Sequence, residues 1–191
     1  RAATEDELRA ALKLIEQAER PVILAGHGVV MSGATREVLE FAEKTQTPIA
    51  LTLLGKGGVP ESHPLSLGMM GMHGTGHANL AIQQADLLLA FGMRFDDRVT
   101  GNLKTYAPDA KKIHIEIDPS EIHKNVRADV PIVGDLRTVL GQLNPRVESR
   151  EHRTWWAQIR DWMEDADERD ILHRDAGERL FAAHVIRDMW Q

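Results

Sequence analysis

Two arginines and two aspartates stand together in the segment Arg94-Phe95-Asp96-Asp97-Arg98. A guanidinium group binds phosphates and carboxylates through paired hydrogen bonds, and it also stacks on flat rings. The segment follows a buried-strand pattern that ends at Phe91-Gly92, so its side chains are expected at the edge of a sheet. The pattern therefore predicts that Arg94 and Arg98 contact an anion or a ring. A solvated loop with internal ion pairs is the alternative.

Ala25-Gly26-His27-Gly28 is similar to the glycine-rich turn by which a helix N-terminus accepts a phosphate. The dinucleotide fingerprint, however, requires a glycine where Met31 stands and an acid where Thr52 stands. A standard NAD-type site is therefore not expected. The turn indicates either close packing or a different nucleotide pose.

Glu116 lies near the end of the alternating run Ile113-His114-Ile115-Glu116-Ile117-Asp118, which predicts a strand with one apolar face. A carboxylate at that point could accept hydrogen bonds from ribose hydroxyls, as the acidic residue of dinucleotide folds does. A plain surface carboxylate is the competing interpretation.

His73 and His77 have the four-residue spacing that binds zinc when both lie on one helix. The two glycines between them disfavour such a helix, so no metal site is predicted. The chain also contains no cysteine, no Gly-x-Ser-x-Gly elbow, no P-loop and no His-Glu-x-x-His motif. We therefore predict no catalytic residue in this chain.

Short apolar runs alternate with segments of helical periodicity, the arrangement of a parallel sheet covered by helices on both faces. Thr4, Ser32 and Asp135 are predicted helix caps. The predicted helices cover 4–19, 32–46, about 79–82 and 135–143, and the predicted strands cover 22–25, 49–51, 86–90, 113–118 and 130–134. The fold class is therefore α/β, a Rossmann-like doubly wound parallel sheet whose ligands bind beyond the carboxyl ends of its strands.

Residues 52–76 are rich in glycine and proline and show no helical period. Irregular segments of that length in compact domains are usually functional. We expect a ligand there.

The composition is that of a globular protein, with 42% hydrophobic and 27% charged residues among 191. No apolar run approaches the ~20 residues of a membrane span, and the first residues, Arg1–Asp6, form no apolar signal segment, so a cytoplasmic protein and no membrane partner are expected. The missing initiator Met indicates that the chain was cut from a longer protein. The net charge of −6 and the lack of clustered basic residues disfavour nucleic acid as a partner.

After residue 144 the strand patterns stop, and all four tryptophans follow. Helices are predicted over 152–168 and 177–190, with Trp155, Ile159 and Trp162 on one face. This stripe either folds back on the sheet domain or is covered by a domain outside this chain. We expect residues 1–144 to form one domain, and 145–191 a helical extension that links it to a C-terminal domain and adds little stability.

Three motifs together resemble the central domain of the acetolactate synthases, also called acetohydroxyacid synthases, which are thiamine-diphosphate enzymes with a DHS-like NAD/FAD-binding fold. The motifs are Thr52–Gly57, Leu67–Gly74 and Arg94–Gly101, and the similarity runs from about Pro21 to Asn144. In that family the central domain binds FAD, which performs no net redox chemistry in the carboligation. The resemblance implies FAD contacts from Gly26, His27, Thr52, Leu53, Met70, Gly71, Met72, His73, Gly92, Met93, Arg94, Phe95, Asp96, Arg98, Glu116, Ile117, Asp135 and Leu136.

The sequence departs from the family at two of these positions. His27 stands where relatives often have glycine, and Glu116 where many have aspartate, which puts the adenosine end of the site in doubt. Asp97 and Arg98 match positions that border the substrate channel and its herbicide site in the family.

The resemblance also implies what lies outside this chain. Thiamine diphosphate and magnesium bind between the N- and C-terminal domains of the same subunit, often across a dimer interface, and the full enzyme is a homodimer or tetramer with a regulatory subunit. It condenses pyruvate with a second 2-keto acid in branched-chain amino acid synthesis, and this chain alone is expected to be inactive. The competing hypotheses are a central domain without flavin, as in related decarboxylases or carboligases, and an NAD-dependent deacylase.

Overall fold

The computed structural model describes residues 1–168, Gly177 and residues 181–190. Six strands form one sheet: β1 (Pro21–Ala25), β2 (Ile49–Leu51), β3 (Ser66–Met69), β4 (Leu87–Phe91), β5 (Lys111–Glu116) and β6 (Val130–Val133). The helices are α1 (Glu5–Gln17), α2 (His27–Met31), α3 (Thr35–Thr45), α4 (Gly76–Gln84), α5 (Asp97–Thr100), α6 (Leu136–Leu143), α7 (Arg153–Glu168) and α8 (Ala182–Trp190). Single 3-10 turns occupy Leu53–Gly55 and Pro119–Glu121.

All neighbouring strands are parallel, in the order β3-β2-β1-β4-β5-β6. The prediction of a doubly wound parallel sheet is therefore confirmed. The order reverses between β1 and β4, where Ile23 pairs with Leu89. In such sheets the crevice at the reversal point is the usual ligand site.

The central strands are continuously apolar because helices cover both of their faces. Every residue of β1 and β4 is buried. Ile23 and Leu89 belong to the core under α1, α3 and α6, whereas Leu24 and Leu88 belong to the core under α4 and α7. This alternation follows from the two-residue period of a strand.

Two of the three predicted helix caps are present. Thr4 forms the capping box with Glu7, and Asp135 Oδ1 accepts a hydrogen bond from Thr138 N at 2.9 Å. The prediction for Ser32 is wrong: α2 begins directly after β1, and Ser32 ends it by donating its hydroxyl to Gly28 O at 2.5 Å. The next helix, α3, begins after Ala34.

Two strand predictions also need correction. The segment predicted as irregular, 52–76, contains the short edge strand β3. β5 has the predicted apolar face, formed by Ile113 and Ile115, but it ends at Glu116, and its polar face is covered at His114, which is fully buried.

Helix α7 packs on α4, so the tryptophan stripe folds back on the sheet. Trp155 and Ile159 are buried, and Trp155 Nε1 donates to Pro21 O at 3.1 Å. This contact argues against the expectation that the extension adds little stability. Within the predicted helix 177–190 the structure describes α8, while residues 169–176 and 178–180 of the extension lie outside the described residues.

Candidate ligand-binding groove

A groove of about 810 Å³ runs along the carboxyl ends of the sheet's strands. It crosses the reversal point between β1 and β4 and continues past β5 and β6. Its walls come from the segments that leave these strands and from the start of α2 and α6. The lining residues are His27, Gly28, Met31, Ser32, Thr52, Leu53, Leu54, Gly92, Met93, Arg94, Asp96, Arg98, Val99, Ile115, Glu116, Ile117, Gly134, Asp135 and Leu136.

A close crossing of two glycine backbones forms the floor of the groove. Gly28 N donates to Gly92 O at 2.8 Å, and Gly92 has a φ of +58°. A Cβ added to Gly92 would stand 2.6 Å from Gly28 Cα. Glycine is therefore required here both by the left-handed conformation and by the lack of space.

Arg94, Asp96 and Arg98 form the charged side of the groove. Arg94 is separated from Asp96 by 3.7 Å and keeps 58% of its side chain exposed, so this ion pair is loose. Exposed ion pairs of this kind stabilise a fold by only ~0 to 1 kcal/mol. Asp96 has a clear local role, because its Oδ1 accepts hydrogen bonds from the backbone of Arg98 and Val99 and caps α5. The guanidinium of Arg94 is thus available for a ligand.

Glu116 and Asp135 lie at the other end of the groove. Glu116 Oε1 accepts hydrogen bonds from Ile117 N at 2.8 Å and Asp118 N at 3.3 Å, which hold the carboxylate at the end of β5. Among the described residues, no donor contacts Oε2 of Glu116. One carboxylate oxygen is therefore oriented by the backbone while the other can accept from a ligand.

Four large apolar side chains line the groove and are nevertheless 61% to 72% exposed: Met31, Leu53, Leu54 and Ile117. Clustered exposed apolar residues around a concave site are typical of a ligand surface. The groove thus combines an apolar wall, a charged side and a carboxylate end.

Twelve of the eighteen predicted contact positions line this groove: His27, Thr52, Leu53, Gly92, Met93, Arg94, Asp96, Arg98, Glu116, Ile117, Asp135 and Leu136. Gly26 lies beneath it, where an added Cβ would meet Gly92 O at 2.4 Å. Phe95 is buried, with its ring edge-to-face against His114 at 5.1 Å. Met70, Gly71, Met72 and His73 are not among the lining residues, and the FAD contacts of all eighteen positions stay predictions.

Several lining residues were not predicted as contacts, notably Met31, Ser32 and Leu54. Leu54 stands inside the motif Thr52–Gly57, and its apolar character in a loop was the available signal. The position of Met31 and Ser32 beside the groove can be predicted only if α2 is known to begin at His27.

The two histidines considered for zinc are not brought together on one helix. His77 lies in the first turn of α4, with its Nε2 2.9 Å from Leu67 O, and His73 precedes the helix. Across residues 1–168 and 181–190, no three potential ligands form a metal-binding cluster. In the described parts of the chain, no helix has the length and apolar character needed to cross a membrane.

Fold and groove together define a doubly wound α/β domain with a candidate ligand site at its switch point. The family model described as "Thiamine pyrophosphate enzyme, central domain" matches residues 8–143, so the chain belongs to that family.

Its relatives include large subunits of acetolactate synthases. The chain is 54% identical over 156 residues to the probable acetolactate synthase large subunit of Methanocaldococcus jannaschii, covering 80% of this chain and 26% of the relative. It is 48% identical over 159 residues to the acetolactate synthase of Mycobacterium leprae, covering 80% and 25%. It is 41% identical over 160 residues to the acetolactate synthase large subunit of Buchnera aphidicola, covering 82% of this chain and 28% of that relative. The chain therefore spans about a quarter of the length of the curated relatives it matches.

Proposed function

We propose that this chain is the FAD-binding central domain of an acetolactate synthase catalytic subunit. The observation that carries the proposal is the groove at the switch point, because its lining includes twelve of the positions that the family resemblance assigns to FAD. The similarity to acetolactate synthases along most of the chain supports it.

The residues of the groove fit a long, partly flat, partly anionic cofactor. Its volume lies within the ~300 to 1,000 Å³ usual for cofactor sites. Leu53, Leu54 and Ile117 offer apolar area to a ring system, and Arg94 offers a cation. Glu116 offers a carboxylate oxygen to ribose hydroxyls. In the resembled family, bound FAD supplies no net redox chemistry to the carboligation.

The activity of the whole protein is part of the same proposal. The intact subunit decarboxylates pyruvate and joins the two-carbon unit to a second 2-keto acid, with thiamine diphosphate and magnesium bound by its N- and C-terminal domains. Its further partners are a second copy of the subunit and a regulatory subunit. Because the chain spans about a quarter of its relatives, we expect it alone to form no acetolactate from pyruvate when both cofactors are added.

The test is a titration of the purified chain and of the full-length protein with FAD, followed by calorimetry and by flavin fluorescence. NAD serves as the control ligand, since the sequence lacks the NAD fingerprint. Saturable binding of FAD but not NAD supports the proposal. Failure of both proteins to bind FAD would establish the alternative, a central domain of a thiamine-diphosphate enzyme without flavin.

A further inference from the structure

The segment that carries Arg94 leaves the sheet as a strap, defined here as residues 92–96, and three of its carbonyls accept hydrogen bonds from three separate parts of the chain. Gly92 O accepts from Gly28 N of α2 at 2.8 Å. Met93 O accepts from His114 of β5 at 2.8 Å, and Phe95 O accepts from the Asn125 side-chain amide at 2.8 Å. Between the second and third of these bonds stands Arg94.

Of the three donors, His114 alone is a fully buried side chain. Because the partner is a carbonyl, the bonding nitrogen Nε2 must carry the hydrogen. The other ring nitrogen, Nδ1, is buried and has no partner among the described residues. An N–H at that position would lack an acceptor, so the ring is neutral with its hydrogen on Nε2.

The surroundings of His114 keep this state in place. Its ring packs edge-to-face on Phe95, whose ring in turn contacts Tyr106 at a centroid distance of 6.2 Å. Burial lowers the pKa of His114 and opposes the charged form. The exposed Asn125 differs, because water can replace its donor if the side chain is removed.

We infer that His114 is a positioning residue for the groove: its Nε2–H fixes the Met93 carbonyl and so directs Arg94 towards the ligand. This inference rests on the proposed FAD site. Among the described residues, no other group donates a hydrogen bond to the Met93 carbonyl. A buried carbonyl without a partner would turn to find one. Arg94, the next residue, would turn with it.

The matched variants are His114→Phe, which keeps an aromatic ring but no donor, and His114→Gln, which keeps a donor near the position of Nε2. We expect His114→Phe to raise the Kd for FAD about tenfold, the loss typical of one hydrogen bond, and His114→Gln to stay within about threefold of the parent chain. Asn125→Ala should also stay within about threefold. If the Phe variant does not fold, His114→Asn replaces it, since its shorter amide cannot reach Met93 O.

A second readout does not depend on FAD. Amide hydrogen exchange of Gly28 in the ligand-free chain reports the neighbouring bond to Gly92 O, and it should accelerate in His114→Phe but not in His114→Gln. If neither the parent chain nor the full-length protein binds FAD, the proposed function fails while this exchange still tests the strap. Equal exchange in all variants, or equal loss of affinity and of stability in the Phe and Gln variants, would overturn the positioning role.

Discussion

Met72 N donates a hydrogen bond to Arg98 O at 2.9 Å and thereby joins the loop before α4 to helix α5, which is far from it in sequence. Gly71 beside it has a φ of +93°, and a Cβ there would stand 2.6 Å from the same carbonyl. The predicted contact segment Met70–His73 does not line the groove, but its backbone is attached to Arg98, which does line it.

Removal of the guanidinium of Arg94 is expected to weaken FAD binding much more than folding. Loss of a charged hydrogen-bond partner costs roughly 1.5 to 3 kcal/mol, or about tenfold to a hundredfold in Kd. Folding should change little because the side chain is 58% exposed and its ion pair with Asp96 is long. Arg94→Lys should restore little, since a lysine cannot stack or bind in a fork.

Calorimetry on Arg94→Ala measures this effect, and Arg9→Ala is the matched control because Arg9 is an exposed arginine on α1. Arg94→Ala should bind more weakly while Arg9→Ala binds as the parent chain does. If the parent chain binds FAD and Arg94→Ala binds equally well, Arg94 is not a contact.

Substitution of Gly92 by alanine is expected to destabilise the chain and to close the floor of the groove. A left-handed φ costs a non-glycine residue roughly 1 to 3 kcal/mol, and the new methyl group would also meet Gly28 at 2.6 Å. Gly141→Ala is the control, because Gly141 lies in α6 with no atom within 4 Å of an added Cβ. The free energy of unfolding of this control variant, measured by urea titration, should rise by about 0.5 to 1 kcal/mol. Equal stability of the two variants would contradict the close contact between the backbones of Gly28 and Gly92.

The sequence allowed prediction of the sheet because its central strands are buried on both faces and therefore continuously apolar. β3 was missed because it is short, lies at the edge and contains Gly68 at a φ of +77°. His114 was assigned to a polar face because a period-two pattern does not reveal whether helices cover one face or both. Its hydrogen bond to Met93 O is a tertiary contact, and no local pattern encodes it.

The candidate site was predictable where motifs mark it and unpredictable where packing decides it. Arg94 and Glu116 follow strands, and strand ends meet at one edge of a parallel sheet. Phe95, between two lining residues, is buried because its ring packs on His114 and Tyr106, a tertiary contact that the local sequence does not reveal. The surface that covers the tryptophan stripe could not be predicted either, because an apolar helix face indicates that it is buried but not which element buries it.

Truncation after Asn144 is expected to lower the melting temperature clearly. It would remove Trp155 and Ile159 from the core under α4, and with them the hydrogen bond from Trp155 to Pro21 O. Trp155→Ala alone should cost about 3 to 5 kcal/mol, the usual range for a buried tryptophan. Arg160→Ala, on the exposed side of the same helix, should cost less than about 0.5 kcal/mol. An unchanged melting temperature after truncation would mean that the α7 contact contributes nothing.

Acidification below neutral pH is expected to destabilise the fold through His114. Its pKa is about 6.5 in the unfolded chain, and burial lowers it in the folded state, although the nearby Glu116 and Glu121 and the bond to Met93 oppose the shift. The unfolded state therefore binds more protons than the folded state between these two pKa values. The contribution of His114 to the free energy of unfolding is thus fully present above about pH 6.5, and it is lost as the pH falls towards the pKa of the folded state.

Urea unfolding at about pH 7.5, 6.5 and 5.5 measures this dependence, which for one histidine cannot exceed about 1.4 kcal/mol per pH unit. His152 contributes in the same direction, because burial and the charge of Arg150 lower its pKa. Carboxylates with lowered pKa, such as Asp129, lose their contribution only at more acidic pH. His114→Gln keeps a donor but no longer titrates, so its stability should depend less steeply on pH over this range. A slope identical to that of the parent chain would show that His114 is protonated equally in the folded and unfolded states.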